Sequence, residues 1–309
     1  MLFFTFPPPN ERGLFMSDAF ARRHGAVNFI FFALAVVLTV VLLHPVYQAV
    51  SLFCAALYYA LLQGRKSIKV LLGLLPLWML LSAVNPLFDP LGRTVLFTYW
   101  GRPYTYEALV YGMVLAAMCV AVLLWFLCYA LVMTTDKFTA LFAPLLPALS
   151  LLLVMIFRLI PSYGRKAQQI RSARMCIGLG GENSRKAKLQ SGIATLSALT
   201  TWALEGSIVT ADSMRARGYG AAKRTRFQVS YFTPSDGILL GIFALLIGGV
   251  ICAAAKGCTQ AAYIPAFFSA PVASPLALLG VFCWGSFLLI PSLEQIWEAV
   301  KWHSFRSGI

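Results

Sequence analysis

Six long apolar runs, at residues 26–44, 46–62, 68–84, 107–133, 236–254 and 274–290, constrain this chain more than any short motif does. Roughly 17 to 25 apolar residues, wound as a helix, match the ~30 Å hydrocarbon core of a bilayer. In that medium each backbone amide must find its partner within the structure, which leaves helices and closed barrels. Continuous apolarity over this length, rather than strict alternation, selects helices. Composition agrees: 60% of the 309 residues are hydrophobic, only 12% are charged and mean hydropathy is +0.77, against about 25% charged in soluble domains. The expected fold is an all-α integral membrane protein with six transmembrane helices and a cytoplasmic region of long amphipathic helices. A soluble enzyme and a nucleic-acid module are excluded.

Lys and Arg number 25 against 11 Asp and Glu, a formal net charge of +14, and this excess has to sit outside the hydrocarbon. Arg22-Arg23-His24 before the first run, and Arg65, Lys66 and Lys69 between the second and third, set the N-terminus inside by the positive-inside rule. The first run is too long for a signal peptide and is read as retained. The loop from Pro86 to Tyr106 carries only Arg93 and Arg102, with Asp89 and interfacial aromatics such as Tyr99, Trp100 and Tyr104, and belongs outside. A seventh apolar run, Phe138 to Ile160, contains Pro144 and Pro147. Residues 158–226 beyond it hold thirteen basic and three acidic residues. Were this run to cross, the most basic loop would lie outside, against the rule; it is therefore expected on the cytoplasmic face. The expected divisions are a cytoplasmic segment 1–25, a four-span region 26–133, a cytoplasmic-face domain 134–235, and two C-terminal spans with a cytoplasmic tail, 236–309.

Site chemistry has little to work with. The seven cysteines form no CxxC pair, and His24, His44 and His303 stand at the edges of apolar stretches, so no metal site, disulfide framework or His-based acid–base pair is expected. Gly178-x-Gly180-Gly181 lacks a preceding strand and a following Lys-Ser/Thr, and Gly64-Arg65-Lys66-Ser67 lacks the upstream glycine of a P-loop. Both read as turns. No cofactor and no catalytic residue is assigned. Gly237 and Gly241 mark either a close helix contact or a lipid-facing stretch.

The cytoplasmic region is more telling. Ile160, Tyr163, Ala167, Ile170 and Ala173 recur at helical spacing among basic and amide residues, predicting an amphipathic helix over 158–178. Leu189, Ile193, Leu196, Leu199, Ala203, Leu204, Ile208, Ala211 and Met214 form a second stripe, predicting a helix from Arg185 to Arg217 that stops at Gly218-Tyr219-Gly220. Such a helix is roughly 50 Å long, far more than a connection needs.

Arg158-Leu-Ile-Pro161, a short arm ending Ala173-Arg174, and a long arm ending Ala211-Asp-Ser-Met214-Arg-Ala216-Arg217-Gly218-Tyr219-Gly220 before Arg224-Thr225 together resemble the T component of energy-coupling factor importers, a family related to cobalt-transport permease subunits. Asn85-Pro86-Leu87-Phe88, Thr94-Val-Leu-Phe97 and Glu107-Ala-Leu-Val-Tyr111-Gly112 add to the likeness, which runs to about residue 235. The resemblance implies that Ala173 and Arg174, and Ala216, Arg217 and Gly218, end two coupling helices that dock into two ATP-binding-cassette ATPase subunits. The first signature departs from the family pattern, with Met175 where glycine is usual. The resemblance also implies a substrate-binding S component in the membrane, for which the apolar surface around Leu146, Leu151 and Met155 is the expected contact. The chain would then be a non-catalytic, multi-pass subunit of a bacterial or archaeal plasma-membrane importer of vitamins or other micronutrients, with lipid as its other partner. Taken alone, Arg174 and Arg217 are also compatible with helix-dipole cations. The competing functions are a membrane scaffold on anionic lipid and a secondary transporter. The latter needs ionisable groups near mid-bilayer, whereas Lys69, Glu107 and Asp236 all lie at span boundaries.

Overall fold

The computed structural model describes residues 20–88, 94–99, 102–142, 147–179, 184–221, 232–259, 261–262, 268–269 and 274–306, and among these a 3-10 turn at Phe20–Arg22 leads into the first of nine α-helices. The helices are α1 (Gly25–Val41), α2 (Pro45–Gln63), α3 (Ser67–Phe88), α4 (Tyr106–Val132), α5 (Thr135–Phe142), α6 (Pro147–Cys176), α7 (Arg185–Ala216), α8 (Pro234–Ala255) and α9 (Pro275–Arg306). Two short antiparallel pairs join some of them, β1 (Val95–Tyr99) with β2 (Arg102–Thr105) and β3 (Ala261–Ala262) with β4 (Phe268–Ser269). The fold is all-α. Residues 1–134 with 231–309 form one compact unit, and residues 135–230 form a second.

In the first unit the apolar stretches Pro45–Phe88, Tyr106–Val132, Pro234–Ala255 and Pro275–Lys301 are long and apolar enough to cross a membrane, and Gly25–Val41 is a shorter apolar helix. As one helix the 44 residues from Pro45 to Phe88 would reach about 66 Å, twice a bilayer's hydrocarbon core. A 3-10 turn at Gly64–Lys66, with Gly64 at φ 56°, breaks them into two helices that both pack on α4. That backbone angle suits glycine and strains other residues.

The core of this unit is aromatic. Phe31 stands within 6 Å, centroid to centroid, of Phe20, Phe32, Trp125, Phe243 and Phe287, so one ring ties α1 to α4, α8 and α9. Polar side chains are enclosed too: Thr39, Ser51 and the Trp125 indole form a hydrogen-bonded chain, with Thr39 and Ser51 hydroxyls 2.8 Å apart and Trp125 Nε1 donating to Ser51 over 3.2 Å. Gln48 Nε2 donates to the carbonyls of Thr39 and Leu42, capturing the orphan acceptors where α1 ends. Large apolar residues such as Phe53, Met79, Leu245 and Phe282 face outward. Polar inside and apolar outside is the distribution expected where lipid is the solvent.

Helix α9 departs from the expected span 274–290, continuing through Pro291 to Arg306. Past the proline its inward positions are polar, with Ser292 1% and Gln295 8% exposed, while Leu293 and Trp297 face out at 56% and 71%. One group on this face has a partner inside the bundle, Gln295 Nε2 donating to the Leu61 carbonyl, while Ser292 Oγ is enclosed without a hydrogen bond. Proline costs a helix one hydrogen bond and some local strain, and here it does not end it.

Close helix packing falls at glycines other than Gly237 and Gly241, for which the sequence leaves a contact and a lipid-facing stretch both open. Nothing lies within 4 Å of a β-carbon built at Gly241, whereas one at Gly280 would meet Tyr47 Oη at 2.5 Å and the Ala253 β-carbon at 2.7 Å. Gly280→Ala should lower the thermal midpoint of the purified protein, by an overpacking cost of about 1–3 kcal/mol, with Gly241→Ala as the unaffected control. At the other helix pair, a β-carbon on Gly112 would lie 2.8 Å from the Ser82 carbonyl and 3.0 Å from the Asn85 β-carbon.

In the second unit α5 is followed by α6, one continuous helix through Pro161 rather than an apolar run and a separate amphipathic helix. Helix α7 has the expected start at Arg185 and ends at Ala216. Its Thr195, Thr200, Thr201 and Thr210 hydroxyls donate to carbonyls one turn back, so these polar residues are satisfied within the helix itself. Helices α6 and α7 meet where the Tyr163 and Trp202 rings pack edge to face at 5.4 Å, with Lys166 Nζ over Trp202.

Candidate functional site

The ends of α6 and α7 share one backbone device. Gly178 N donates to the Met175 carbonyl and Leu179 N to that of Arg174. In the same pattern, Gly218 N donates to the Arg215 carbonyl and Tyr219 N to that of Met214. Gly178 and Gly218 have φ of 78° and 75°. Both helices thus end in a Schellman cap, in which a left-handed glycine lets two orphan carbonyls be satisfied. From the Tyr163–Trp202 contact, α6 runs on about 16 Å to Arg174 and α7 about 22 Å to Arg217. Beyond that contact the inward face of α6 stays half-buried as far as Arg174, and half-buried or buried positions recur on α7 from Ala187 to Ala203, whereas α7 is exposed at nearly every position from Leu204 to Arg217.

Ala216 is the last helical residue of α7, Arg217 is its C-cap and Gly218 follows it. Arg217 is exposed, and Arg215 beside it stands 4.0 Å from Asp212, with both side chains largely in the open. Ala173 and Arg174 sit on the last turns of α6. Arg174 is half-buried, and its Nε is enclosed without a hydrogen-bond partner. Of the expected S-component surface, Leu151 and Met155 are half-buried, while Leu149, Leu152, Ile156 and Phe157 on the same helix are exposed. Leu146, Gly180, Gly181 and Arg224-Thr225 lie outside the described residues. Of the α7 stripe, Leu189, Ile193, Leu196, Leu204 and Ile208 are each at least 60% exposed, while Leu199, Ala203 and Met214 are half-buried.

A second polar centre was not legible as such in the sequence. Arg23, just before α1, holds Glu294 on α9 at 2.7 Å, Asp236 on α8 at 3.6 Å, and donates to the Ser235 hydroxyl. Arg22 pairs with Glu298. Asp236 also closes a capping box with Thr233, accepting from its hydroxyl at 2.7 Å and its amide at 3.1 Å. Burial alone lowers the pKa of Arg23, but hydrogen bonding to Glu294 and the charges of Glu294 and Asp236 outweigh it and hold the pKa above the ordinary value. The only sequence signals were the Thr-Pro-Ser-Asp helix start and the Glu294/Glu298 spacing of one turn. On α4, Glu107 accepts from the Thr94 amide and hydroxyl, pinning the hairpin β1–β2 to the helix start. Among the described residues no group of three His, Cys, Asp or Glu side chains is arranged to hold a metal ion.

These features define an all-α membrane protein carrying a pair of long, basic-ended helices in a separate unit. The family model described as Cobalt transport protein (CbiQ) matches residues 17–229, most of the chain, so the chain belongs to that family and is a membrane component of a transport system. Comparison with curated proteins finds no match. The matched range takes in both arms and stops before α8 and α9.

Proposed function

We propose that the chain is the transmembrane coupling subunit of an ATP-driven importer of the energy-coupling factor type, with α6 and α7 as its coupling arms. The observation that carries this reading is the exposed Ala216-Arg217-Gly218 end of α7. It is a helix of 32 residues, delivering a guanidinium fork on a rigid rod within the span matched by the family. Such a fork makes paired, directional hydrogen bonds to carboxylates and loses little rotamer freedom on docking. ATP hydrolysis belongs to two separate ATPase subunits, and substrate recognition to a membrane S component resting against the apolar side of α6, including Leu151 and Met155. The cargo is a micronutrient whose identity is set by that partner.

Topology supports the assignment. Arg23 and Asp236 are in contact, so the starts of α1 and α8 lie on one face and an even number of crossings separates them. With α1 to α4 each taken as a crossing, that even number is met with neither α6 nor α7 in the membrane. With the N-terminus inside a plasma membrane, both arms are cytoplasmic, where ATP is. The test is affinity purification of the tagged chain from its native membranes in mild detergent. Two copies of an ATPase fold and one small membrane protein should accompany it. Purification of the intact chain with neither would leave the scaffold reading in its place.

A further inference from the structure

The chain passes between its two units twice, and the two passages are held differently. At the first, α4 ends on Val132 and Met133, 1% and 7% exposed, an apolar, closely packed exit. At the second, the unit of residues 135–230 gives way to α8, which begins at Pro234. Of residues 232–238, Asp236 alone is buried, and Phe232 adds one edge-to-face contact with His24 at 5.7 Å. The foot of α8 therefore rests on a carboxylate, and Arg23 serves that carboxylate and another unequally. Arg23 donates to Glu294 on α9 over 2.7 Å but stands 3.6 Å from Asp236 Oδ1, outside hydrogen-bond reach. Thr233 occupies Asp236 Oδ2. Asp236 Oδ1 and Glu294 Oε2 are both enclosed without a hydrogen bond, each a costly state for a charged oxygen.

We propose that Arg23 is a two-position latch, its guanidinium closing on Glu294 of α9 in one position and on Asp236 of α8 in the other. A shift of about 1 Å toward α8 makes the missing bond to Asp236 at ordinary ion-pair length. Because the guanidinium is a rigid plane, the same shift draws it off Glu294. Each position satisfies one oxygen and strands another, which makes the element bistable rather than graded. The inference rests on the coupling-arm reading above. There α7 moves, and α8 is the next helix in the chain, so its displacement reaches Asp236 through residues 217–233. Coupling between distant sites needs an element with two discrete arrangements, and an apolar exit such as that of α4 offers only one. Both acids lie beyond the matched residues 17–229.

The test is Asp236→Glu, which carries the carboxylate about 1.5 Å further and keeps a Thr-x-x-Glu capping box at the start of α8. Arg23 then reaches both acids at once and the latch is jammed. The purified chain should melt at a higher temperature than the wild type. Distances are read in the whole complex, with the native cysteines replaced and spin labels carried by Ile238→Cys and Trp297→Cys, positions 66% and 71% exposed. Without the Asp236 change, two interlabel distances should appear, their proportions changing when MgATP and vanadate are added. Asp236→Glu should lose one of the two and stop responding. A brace with a single arrangement predicts one distance before and after nucleotide, and that result overturns the latch. So does an Asp236→Glu complex that still responds, or an Asp236→Glu chain no more stable than the wild type, because the second seat is then beyond the reach of Arg23. Each of these leaves the coupling-arm reading standing where the ATPases co-purify; a wild-type complex without ATPase removes that reading and the latch with it.

Discussion

The Arg174→Ala, Arg217→Ala double variant should be close to inactive in ATP-driven uptake while inserting in the membrane at normal levels. Neither α6 nor α7 is among the described helices long and apolar enough to cross a membrane, and Arg217 is exposed at the end of α7, so the fold has little stake in its charge. On the proposed coupling reading, the loss is on the partner's side of the contact, a carboxylate left desolvated and unpaired. Such truncations typically cost about 2–5 kcal/mol each, or at least about thirtyfold in affinity. Arg217→Ala alone should account for more of the loss than Arg174→Ala, because Arg174 is half-buried and set back from its tip. Arg217→Lys should rescue only in part, since an ammonium cannot reproduce the planar fork. Uptake of the cognate substrate into cells and retention of the ATPases on purification provide the two readings. Full uptake with full retention in the double variant would return both arginines to the role of helix-dipole cations.

Phe31→Ala should be the most damaging single truncation in the membrane unit. Five aromatic rings converge on Phe31, and it is fully buried. In lipid the transfer term shrinks, because the unfolded surroundings are also apolar. The cavity and the lost dispersion contacts remain, worth about 2 kcal/mol or more. Phe31→Leu refills most of the space and should cost less than half as much. Denaturant or thermal unfolding in mixed micelles, followed by tryptophan fluorescence from buried Trp125 and Trp284, measures both. Equal stability of Phe31→Ala and the wild type would mean that the ring cluster is not what binds α8 and α9 to α1.

Much of this architecture is legible in the sequence because lipid imposes a coarse code. Apolar length alone locates α1 to α4 and α8, and the Gly218-Tyr219-Gly220 stop locates the end of α7 within a residue. Proline is the place where local reading fails. The expected span 274–290 stops short of Pro291, yet α9 passes through it, and α6 runs unbroken where an apolar run and a separate amphipathic helix were expected. Glycine spacing leaves a choice that only the structure makes. Gly237 and Gly241 have the spacing of a contact motif, but Gly280 and Gly112 have the contacts, and only the third dimension distinguishes a glycine facing lipid from one facing a helix. The site divides in the same way. The arms and their arginines can be read from a local pattern, whereas the unequal placement of Arg174 and Arg217 depends on where each helix caps, and Arg23, Asp236 and Glu294 meet only after the chain has folded.

The Arg23–Glu294 contact also sets a clock. Its partners are 271 residues apart, and α1 finds Phe243, Phe287 and both acids only in the last part of the chain to be made. At 5–20 residues per second, Arg23 waits on the order of 15 to 55 s for Glu294 after its own synthesis. For that interval the first helix sits in the membrane or beside the insertion machinery with its ring cluster incomplete and its guanidinium unpaired. A ribosome that stalls ahead of α8 releases a chain whose arms are finished but whose first helix has nothing to close against. Such a product carries its own mark of incompleteness for membrane proteases to read.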